Sequence, residues 1–233
     1  MLATAAMRRA CTRTLCASPR VMRPTSQPTL SFDPSAKTAM DKQEPPAPGA
    51  DFRVVIVGAG NINFGSDEGP WNHSFRLEHK LGPRLKVVAL IDPDAERARR
   101  VLKTKCQSFV LSAYKDTVVY PTFKDYMASV CAETYPHAVW VGSPPAFRGG
   151  TEPGRNLEQL LTAGLPNVPL FIEKPVSTGA VDQTFEVAKM LERNGSLVSV
   201  GYMLRYLKVV QKMKQIIADN HLRVMAVNAR YIM

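Results

Sequence analysis

The chain has 233 residues, 45% of them hydrophobic, and its 30 Lys and Arg against 20 Asp and Glu give a formal net charge of +10 at pH 7. Its apolar runs are all shorter than the ~18 residues that a membrane-spanning helix needs, so the composition argues against a membrane protein. Residues 1–39 carry +5 of the charge, and the rest lacks the interleaved aromatic residues that stack nucleic-acid bases, which argues against a nucleic-acid partner.

Residues 1–50 are predicted to lie outside the fold as a disordered extension. They are rich in Arg, Ser, Thr and Ala, contain no acidic residue before Asp33, and end in a proline-rich stretch. This composition is typical of a mitochondrial transit peptide, and equally of an untargeted tail or of sequence upstream of a start at Met40. The predicted location is therefore cytoplasmic or mitochondrial, and neither membrane nor secreted.

The cysteines indicate a reducing compartment and no metal site. They show neither a CxxC pair nor the spacing of metal ligands. Their positions are Cys11, Cys16, Cys106 and Cys131.

The first predicted strand, residues 52–57, leads directly into a glycine-rich turn. The strand is apolar and rich in β-branched residues, as a buried strand should be. Gly58 is expected to make the tight turn of a dinucleotide fingerprint, and Gly60 to let the backbone approach a pyrophosphate. Asn61 and Ile62 then begin a helix whose N-terminus favours anions. These four residues are predicted to bind the cofactor.

The fingerprint is incomplete at one position. Asn63 stands where the third glycine is usual, and a polar insertion over residues 65–73 lengthens the loop before the next helical pattern. A glycine turn unrelated to nucleotide binding is therefore the alternative interpretation.

Asp92 follows the second predicted strand, residues 85–91, and is placed to accept hydrogen bonds from an adenosine ribose. A carboxylate there repels a 2′-phosphate, which favours NAD over NADP, although Arg97 or a neighbouring arginine offers a counter-charge. The alternative is that Asp92 and Asp94 cap the helix that follows, and Asp94 is the predicted cap.

Strands and helical patterns alternate through residues 51–203. Alternation of this kind predicts an α/β fold, a doubly wound parallel sheet of about six strands with right-handed crossovers, as in a Rossmann dinucleotide-binding domain. Residues 204–233 are expected to form a linker helix and, over residues 223–232, one further strand.

Lys174 lies just beyond the fifth predicted strand, residues 168–172, in the tripeptide Glu173-Lys174-Pro175. Ligands of parallel sheets bind beyond the carboxyl ends of the strands, so the amine is placed to reach a cofactor or substrate. A solvated lysine in a strand-to-helix turn is the alternative.

Five motifs in order (GAGNIN, IDPDAER, SPP, EKP and VGYMLRY) resemble the glucose-fructose oxidoreductase and inositol dehydrogenase family, Gfo/Idh/MocA, over residues 52–233. The resemblance implies an oxidoreductase that transfers a hydride between NAD or NADP and a sugar, polyol or related hydroxyl or carbonyl compound. It also implies that residues 204–233 begin a truncated α+β substrate domain, and that the protein assembles into homo-oligomers through the sheet of that domain.

The same resemblance implies roles for particular residues. Lys174 would be catalytic, hydrogen-bonding the reacting oxygen and the nicotinamide ribose, and Glu173 would line the pocket. Ser143 and Pro144 would touch the cofactor, and the peptide before Pro175 is expected to be cis, as it often is in relatives.

Two features depart from the family pattern. Relatives usually have a His where this chain has Arg148, and their substrate domain supplies an Asp and a His beyond the equivalent of Met233. The four histidines of this chain are predicted to be structural or exposed, with none facing the cofactor cleft: His73, His79, His137 and His221. A catalytically incomplete nucleotide-binding or regulatory protein is therefore the alternative to an enzyme, and the sequence leaves the substrate open.

Overall fold

The computed structural model describes residues 46–66, 71–228 and 230, and the rest of the N-terminal extension lies outside them. Strands and helices alternate through this part of the chain as the sequence predicts. The strands are β1 (Phe52–Val57), β2 (Leu85–Ile91), β3 (Val118–Tyr120), β4 (Ala138–Val141), β5 (Leu170–Ile172) and β6 (Val198–Val200). The α-helices are α1 (Asn61–Phe64), α2 (His73–Leu81), α3 (Ala95–Cys106), α4 (Leu111–Tyr114), α5 (Phe123–Met127), α6 (Leu157–Gly164), α7 (Val181–Arg193) and α8 (Lys208–Asp219).

The six strands form one sheet in the order β3-β2-β1-β4-β5-β6, and every neighbouring pair is parallel. The predicted Rossmann-type α/β fold is confirmed. The chain builds outward from β1 to β3, then returns to place β4 on the other side of β1. Such a reversal of strand order opens a crevice at the carboxyl ends of β1 and β4, where ligands of open α/β sheets bind.

The sheet is buried on both faces, which explains why its strands are almost continuously apolar. Successive side chains of a strand point to opposite faces, so β1 contributes to two separate cores. Val55 and Val57 belong to one hydrophobic cluster, and Val54 and Ile56 belong to the other.

Helix α2 is held at its start by Asn72, whose side-chain oxygen accepts the backbone N–H of Phe75 at 2.9 Å. An Asn in this position satisfies one of the donors that the first turn of a helix leaves unpaired. The cap fixes where the helix begins and so places His73, its first residue, in the interior.

The linker helix predicted after residue 204 is present as α8, but the strand predicted over residues 223–232 is wrong for the residues that the structure describes. Residues 222–228 and 230 have no regular secondary structure. A strand is stable only when a neighbour pairs with it, and the described residues offer this segment no partner strand.

Among residues 46–66, 71–228 and 230, no helix has both the length and the apolar character needed to span a bilayer.

Candidate functional site

The candidate site is the carboxyl edge of the sheet, where backbone hydrogen bonds hold the strand ends side by side. In each case the residue that follows a strand donates its N–H to the last carbonyl of the neighbouring strand, at 2.8–3.0 Å. The bonds are Asp92 to Tyr120, Gly58 to Ile91, Gly142 to Val57, Glu173 to Val141 and Gly201 to Ile172. The predicted glycine turn and the predicted Glu173-Lys174 segment therefore share one edge, separated by β4 alone.

Gly58 makes the tight turn that the sequence predicts. Its φ of 97° lies in the region that favours glycine, and a Cβ there would lie 3.0 Å from the backbone nitrogen of Ser143. Gly60 faces open space, so a ligand can approach its backbone. Helix α1 has only four residues, so the backbone N–H groups of the loop, more than a helix dipole, would meet an anion here.

Asn63 takes over the position of the third glycine with a buried side chain. Its amide nitrogen donates to the carbonyl oxygens of Val57 and Gly58 at 3.1 and 2.7 Å. The amide packs against Gly142, where any side chain would overlap it. The residue that breaks the sequence pattern thus stabilises the same turn by another means.

The Asp92 carboxylate is buried and fixes the glycine loop. Oδ2 accepts the Ala59 N–H at 2.6 Å, while Oδ1 accepts the Asp94 N–H and the Arg97 guanidinium, both at 2.8 Å. Asp94 caps α3 as predicted, by accepting the Arg97 N–H at 2.9 Å. That hydrogen bond, together with the Arg97 and Arg100 charges, lowers the pKa of Asp94 against the effect of desolvation. The ribose contact proposed for Asp92 stays a prediction.

Ser143 carries a buried hydroxyl that makes no hydrogen bond to the described residues. Buried polar groups are rarely left without a partner. The position of this hydroxyl beside Gly58 fits a bound dinucleotide, whose phosphate or ribose oxygens would supply that partner.

Arg148 is fully buried and joins two loops of the site. Its Nε donates to the carbonyl of Ser143 at 3.0 Å, and its Nη1 donates to the carbonyl of Val176 at 2.9 Å. Burial lowers the pKa of Arg148, and the charges of Glu158 and Glu173 oppose that effect. Arg148, which stands where the family pattern has a His, therefore connects the loops that follow β4 and β5.

Glu173 is buried beside the exposed Lys174, and the Lys174–Pro175 peptide is cis, as expected. One carboxylate oxygen, Oε1, lies 2.6 Å from Nε2 of His73, and the other accepts the Lys174 N–H at 2.9 Å. Burial alone would raise the pKa of Glu173, but the hydrogen bond and charge of His73, the backbone bond and the Lys174 charge together lower it.

The prediction that no histidine faces this region is wrong for His73. Its ring lies against Trp140 and Phe171, with centroids 5.3 and 5.1 Å away, and it reaches the Glu173 carboxylate from helix α2. The contact joins residues 100 positions apart, which no local pattern reveals. The available signal was Asn72, because a helix cap there places the next residue in the first buried turn.

A cavity of about 790 Å³ opens beside this cluster. Ile62, Glu173 and Lys174 line it, whereas Gly58, Asp92 and the other predicted cofactor residues belong to the adjoining loop edge. Aromatic and basic side chains make up much of the remaining wall: Trp71, Trp140, Phe171, Tyr202, Tyr206, Arg76 and Arg205. The described residues contain no cluster of three or more His, Cys, Asp or Glu that could hold a metal ion.

Comparison with known proteins identifies the two parts of the chain. Residues 52–202 match the GFO_IDH_MocA family, described as an oxidoreductase family with an NAD-binding Rossmann fold, and residues 205–233 match a putative oxidoreductase C-terminal domain. The uncharacterized protein C12C2.04 of Schizosaccharomyces pombe is 44% identical over 185 residues, which cover 78% of this chain and 48% of that protein. A second protein of that yeast, UNK4.17, is 43% identical over 192 residues, covering 81% and 47%. The chain thus spans about half the length of these relatives.

Solved structures share the fold at low identity. The WlbA dehydrogenase of Chromobacterium violaceum, in complex with NADH and UDP-GlcNAcA, is 16% identical with a TM-score of 0.53, and the match covers 76% of this chain and 43% of that one. The scyllo-inositol dehydrogenase of Lactobacillus casei, with NAD(H) and scyllo-inositol, is 18% identical with a TM-score of 0.50, covering 73% and 42%.

Proposed function

Because the chain belongs to the Gfo/Idh/MocA oxidoreductase family, with an NAD-binding Rossmann domain over residues 52–202, we propose that the whole protein transfers a hydride between a nicotinamide cofactor and a sugar, polyol or related hydroxyl or carbonyl compound. The observation that carries the proposal is the shared sheet edge. It brings the Gly58 turn, the unpartnered Ser143 hydroxyl and the Lys174 segment to one side of the molecule.

The cofactor would lie across the crevice between β1 and β4. Gly58, Gly60, Asn61 and Ile62 would receive its pyrophosphate on their backbone, and the Ser143-Pro144 loop would contact the cofactor from the β4 side.

We assign NAD as the preferred dinucleotide, because the Asp92 carboxylate at the end of β2 disfavours a 2′-phosphate. The Arg97 guanidinium donates to that carboxylate at 2.8 Å. It is the cation that would neutralise the 2′-phosphate if NADP bound instead.

When bound, the nicotinamide supplies the hydride acceptor or donor of the reaction. Lys174 would donate a hydrogen bond from its ammonium group to the reacting substrate oxygen, orient it, and relay the proton that the oxygen loses or gains. Glu173, ionised beneath it, would hold the backbone of Lys174. The general base would come from residues of the substrate domain.

The ligands of the two related structures support the substrate class. NADH with UDP-GlcNAcA in one protein, and NAD(H) with scyllo-inositol in the other, are each a dinucleotide beside a polyhydroxylated compound. Both proteins share the fold of this chain.

A nucleotide-binding or regulatory protein without turnover is the second candidate. The observation in its favour is Arg148, which stands where relatives usually have a His and is engaged by the carbonyls of Ser143 and Val176. The fold is compatible with such a role, since the transcriptional regulator Gal80p of Kluyveromyces lactis shares it at 14% identity and a TM-score of 0.50, covering 72% of this chain and 37% of that one.

Substitution of Lys174 separates the two candidates. We expect Lys174→Ala to abolish oxidation of sugars or polyols by the full-length protein while changing the Kd for NADH little, because the amine acts on the reacting oxygen. Calorimetric titration with NADH and NADPH, alongside a spectrophotometric assay over a panel of sugars and inositols, measures both effects.

Lys189→Ala, on helix α7, is the matched control and should leave both quantities unchanged. Wild-type turnover that survives in Lys174→Ala would remove Lys174 from the mechanism. A wild-type chain that binds NADH, but whose full-length form turns over no compound of the panel, would favour the regulatory role.

A further inference from the structure

We propose that His73 is the positioning residue for Glu173: its imidazole Nε2–H holds the carboxylate that lies beneath Lys174. The inference rests on the proposed function, because the position of Lys174 matters for hydride transfer only if its amine acts on the reacting oxygen. It gives a role to a residue of helix α2 that the dinucleotide fingerprint does not include.

The hydrogen-bond partners of the ring determine which nitrogen carries the proton. Nε2 lies 2.6 Å from Oε1 of Glu173, and an ionised carboxylate can only accept. On the other side of the ring, Nη1 of Arg76 lies 3.4 Å from Nδ1, and a guanidinium can only donate. Nδ1 must therefore present its lone pair to Arg76, so the proton of a neutral ring is on Nε2.

The hydrogen bonds continue from the imidazole, through the Glu173 carboxylate, to the backbone of Lys174. Oε2 of Glu173 accepts the Lys174 N–H at 2.9 Å, so each carboxylate oxygen has its own donor. Gly201 of the neighbouring loop has no side chain, and a Cβ there would lie only 2.8 Å from Oε1. The carboxylate is thus fixed by a histidine on one side, a backbone amide on another and a closely packed glycine on a third.

Aromatic packing fixes the ring itself. His73 contacts Trp140 and Phe171, which are stacked on each other with centroids 4.0 Å apart. The side chains of His73 and Glu173 are only 7% and 9% exposed, so their hydrogen bond works in a medium of low dielectric constant, where such bonds are stronger. This environment suits a residue that orients another group.

Charged and titratable groups from several elements surround His73 and Glu173. Arg76 belongs to the helix of His73, Glu173 and Lys174 follow β5, and Tyr202 and Arg205 line the same cavity from the segment after β6. The tautomer is set by the two direct partners of the ring, so it is the property to measure.

Nitrogen NMR of isotope-labelled histidine side chains measures the tautomer in the full chain, without cofactor or substrate. We expect the signals that disappear in His73→Gln to be those of a ring that carries a proton on Nε2. His137 provides an internal reference, because its Nδ1 accepts the Arg53 N–H at 3.0 Å and requires the same tautomer when neutral. A His73 ring that is protonated on Nδ1 alone would overturn the proposal.

Two substitutions then test positioning against a purely structural role. Gln retains a side-chain donor near the place of Nε2, whereas Leu fills the space without one. Carbon NMR should show the Glu173 carboxyl titrating at higher pH in His73→Leu and close to the wild type in His73→Gln, since a lost donor disfavours the carboxylate. The matched control is His79→Leu, at an exposed position on the same helix, which should leave Glu173 unchanged.

An unchanged Glu173 titration in His73→Leu, or equal displacement in the Gln and Leu variants, would contradict the positioning role. Should the Leu variant fail to fold, the tautomer of the wild-type ring still decides the question. Failure of the proposed function appears separately, as a wild-type chain that does not bind NADH, because the NMR measurements need no cofactor.

Discussion

Two buried glutamates near the sheet edge respond to burial in opposite ways. Glu173 has a histidine and a backbone amide as donors, and its pKa falls below the ordinary value despite desolvation. Glu158 receives the Gly149 N–H at 2.7 Å, but desolvation dominates and raises its pKa. Glu173 is therefore stabilised as an anion next to Lys174. Burial disfavours the charged form of Glu158, although the nearby guanidinium of Arg148 favours it.

The opposite shifts predict opposite dependences of stability on pH. A depressed pKa means that Glu173 stabilises the fold above its ordinary value of 4.5, and that this stability is lost as pH falls through the lower folded value. Glu173→Gln should therefore lose less stability than the wild type when the pH is lowered below 4.5. Thermal unfolding followed by circular dichroism across that range measures the difference.

Glu158→Gln is the matched control, because its carboxyl has a raised pKa and the sign reverses. Glu158 contributes stability below its ordinary value of 4.5, and that stability is lost as pH rises from there through the higher folded value. Parallel stability curves for the wild type and Glu173→Gln on the acid side would contradict the assignment of Glu173 as a stabilised anion.

At the scale of elements, the alternation of strands and helices was predictable because a sheet buried on both faces requires apolar strands, and those stand out in the sequence. The conformation of residues 223–232 was not predictable in this way. Residues 223–232 have the composition of a strand, but strand formation depends on a neighbour that composition does not reveal. His73 was missed for a related reason, since its partner Glu173 belongs to a strand end far along the chain.

The N-cap of helix α2, Asn72, lies directly before His73, which contacts the candidate site. Asn72→Ala should cost ~1 kcal/mol of stability by removing the hydrogen bond to the Phe75 N–H. It should also loosen the first turn that holds His73, and so raise the pH at which Glu173 titrates. Chemical denaturation and carbon NMR measure the two effects.

Thr122→Ala is the matched control for the cap. Thr122 caps helix α5 through a capping box with Asp125, so its loss should cost a similar amount while leaving the Glu173 titration as in the wild type. Identical Glu173 titrations in both variants would show that the start of α2 does not control the carboxylate.

For the whole molecule, the segment after β6 presents apolar side chains that the described residues do not cover. Helix α8 packs mainly on the 3-10 turn Met203–Tyr206, and Val209, Met213 and Ile216 are 62%, 55% and 45% exposed. Their spacing of four and three residues places them on one helical face. This face belongs to residues 205–233, the segment that matches a putative oxidoreductase C-terminal domain.

An uncovered apolar face predicts self-association of the 233-residue chain, since contiguous exposed apolar surface drives contacts between molecules. Replacing Met213 and Ile216 together by Lys should shift the chain towards monomer in sedimentation velocity, with the Kd for NADH unchanged because the dinucleotide edge is untouched. Phe109→Lys is the matched control: this side chain is 97% exposed but lies outside the face, so its replacement should not alter association. Equal association of the double variant and the wild type would mean that α8 is not the contact surface, and a simultaneous loss of NADH binding would mean that the helix supports the Rossmann domain directly.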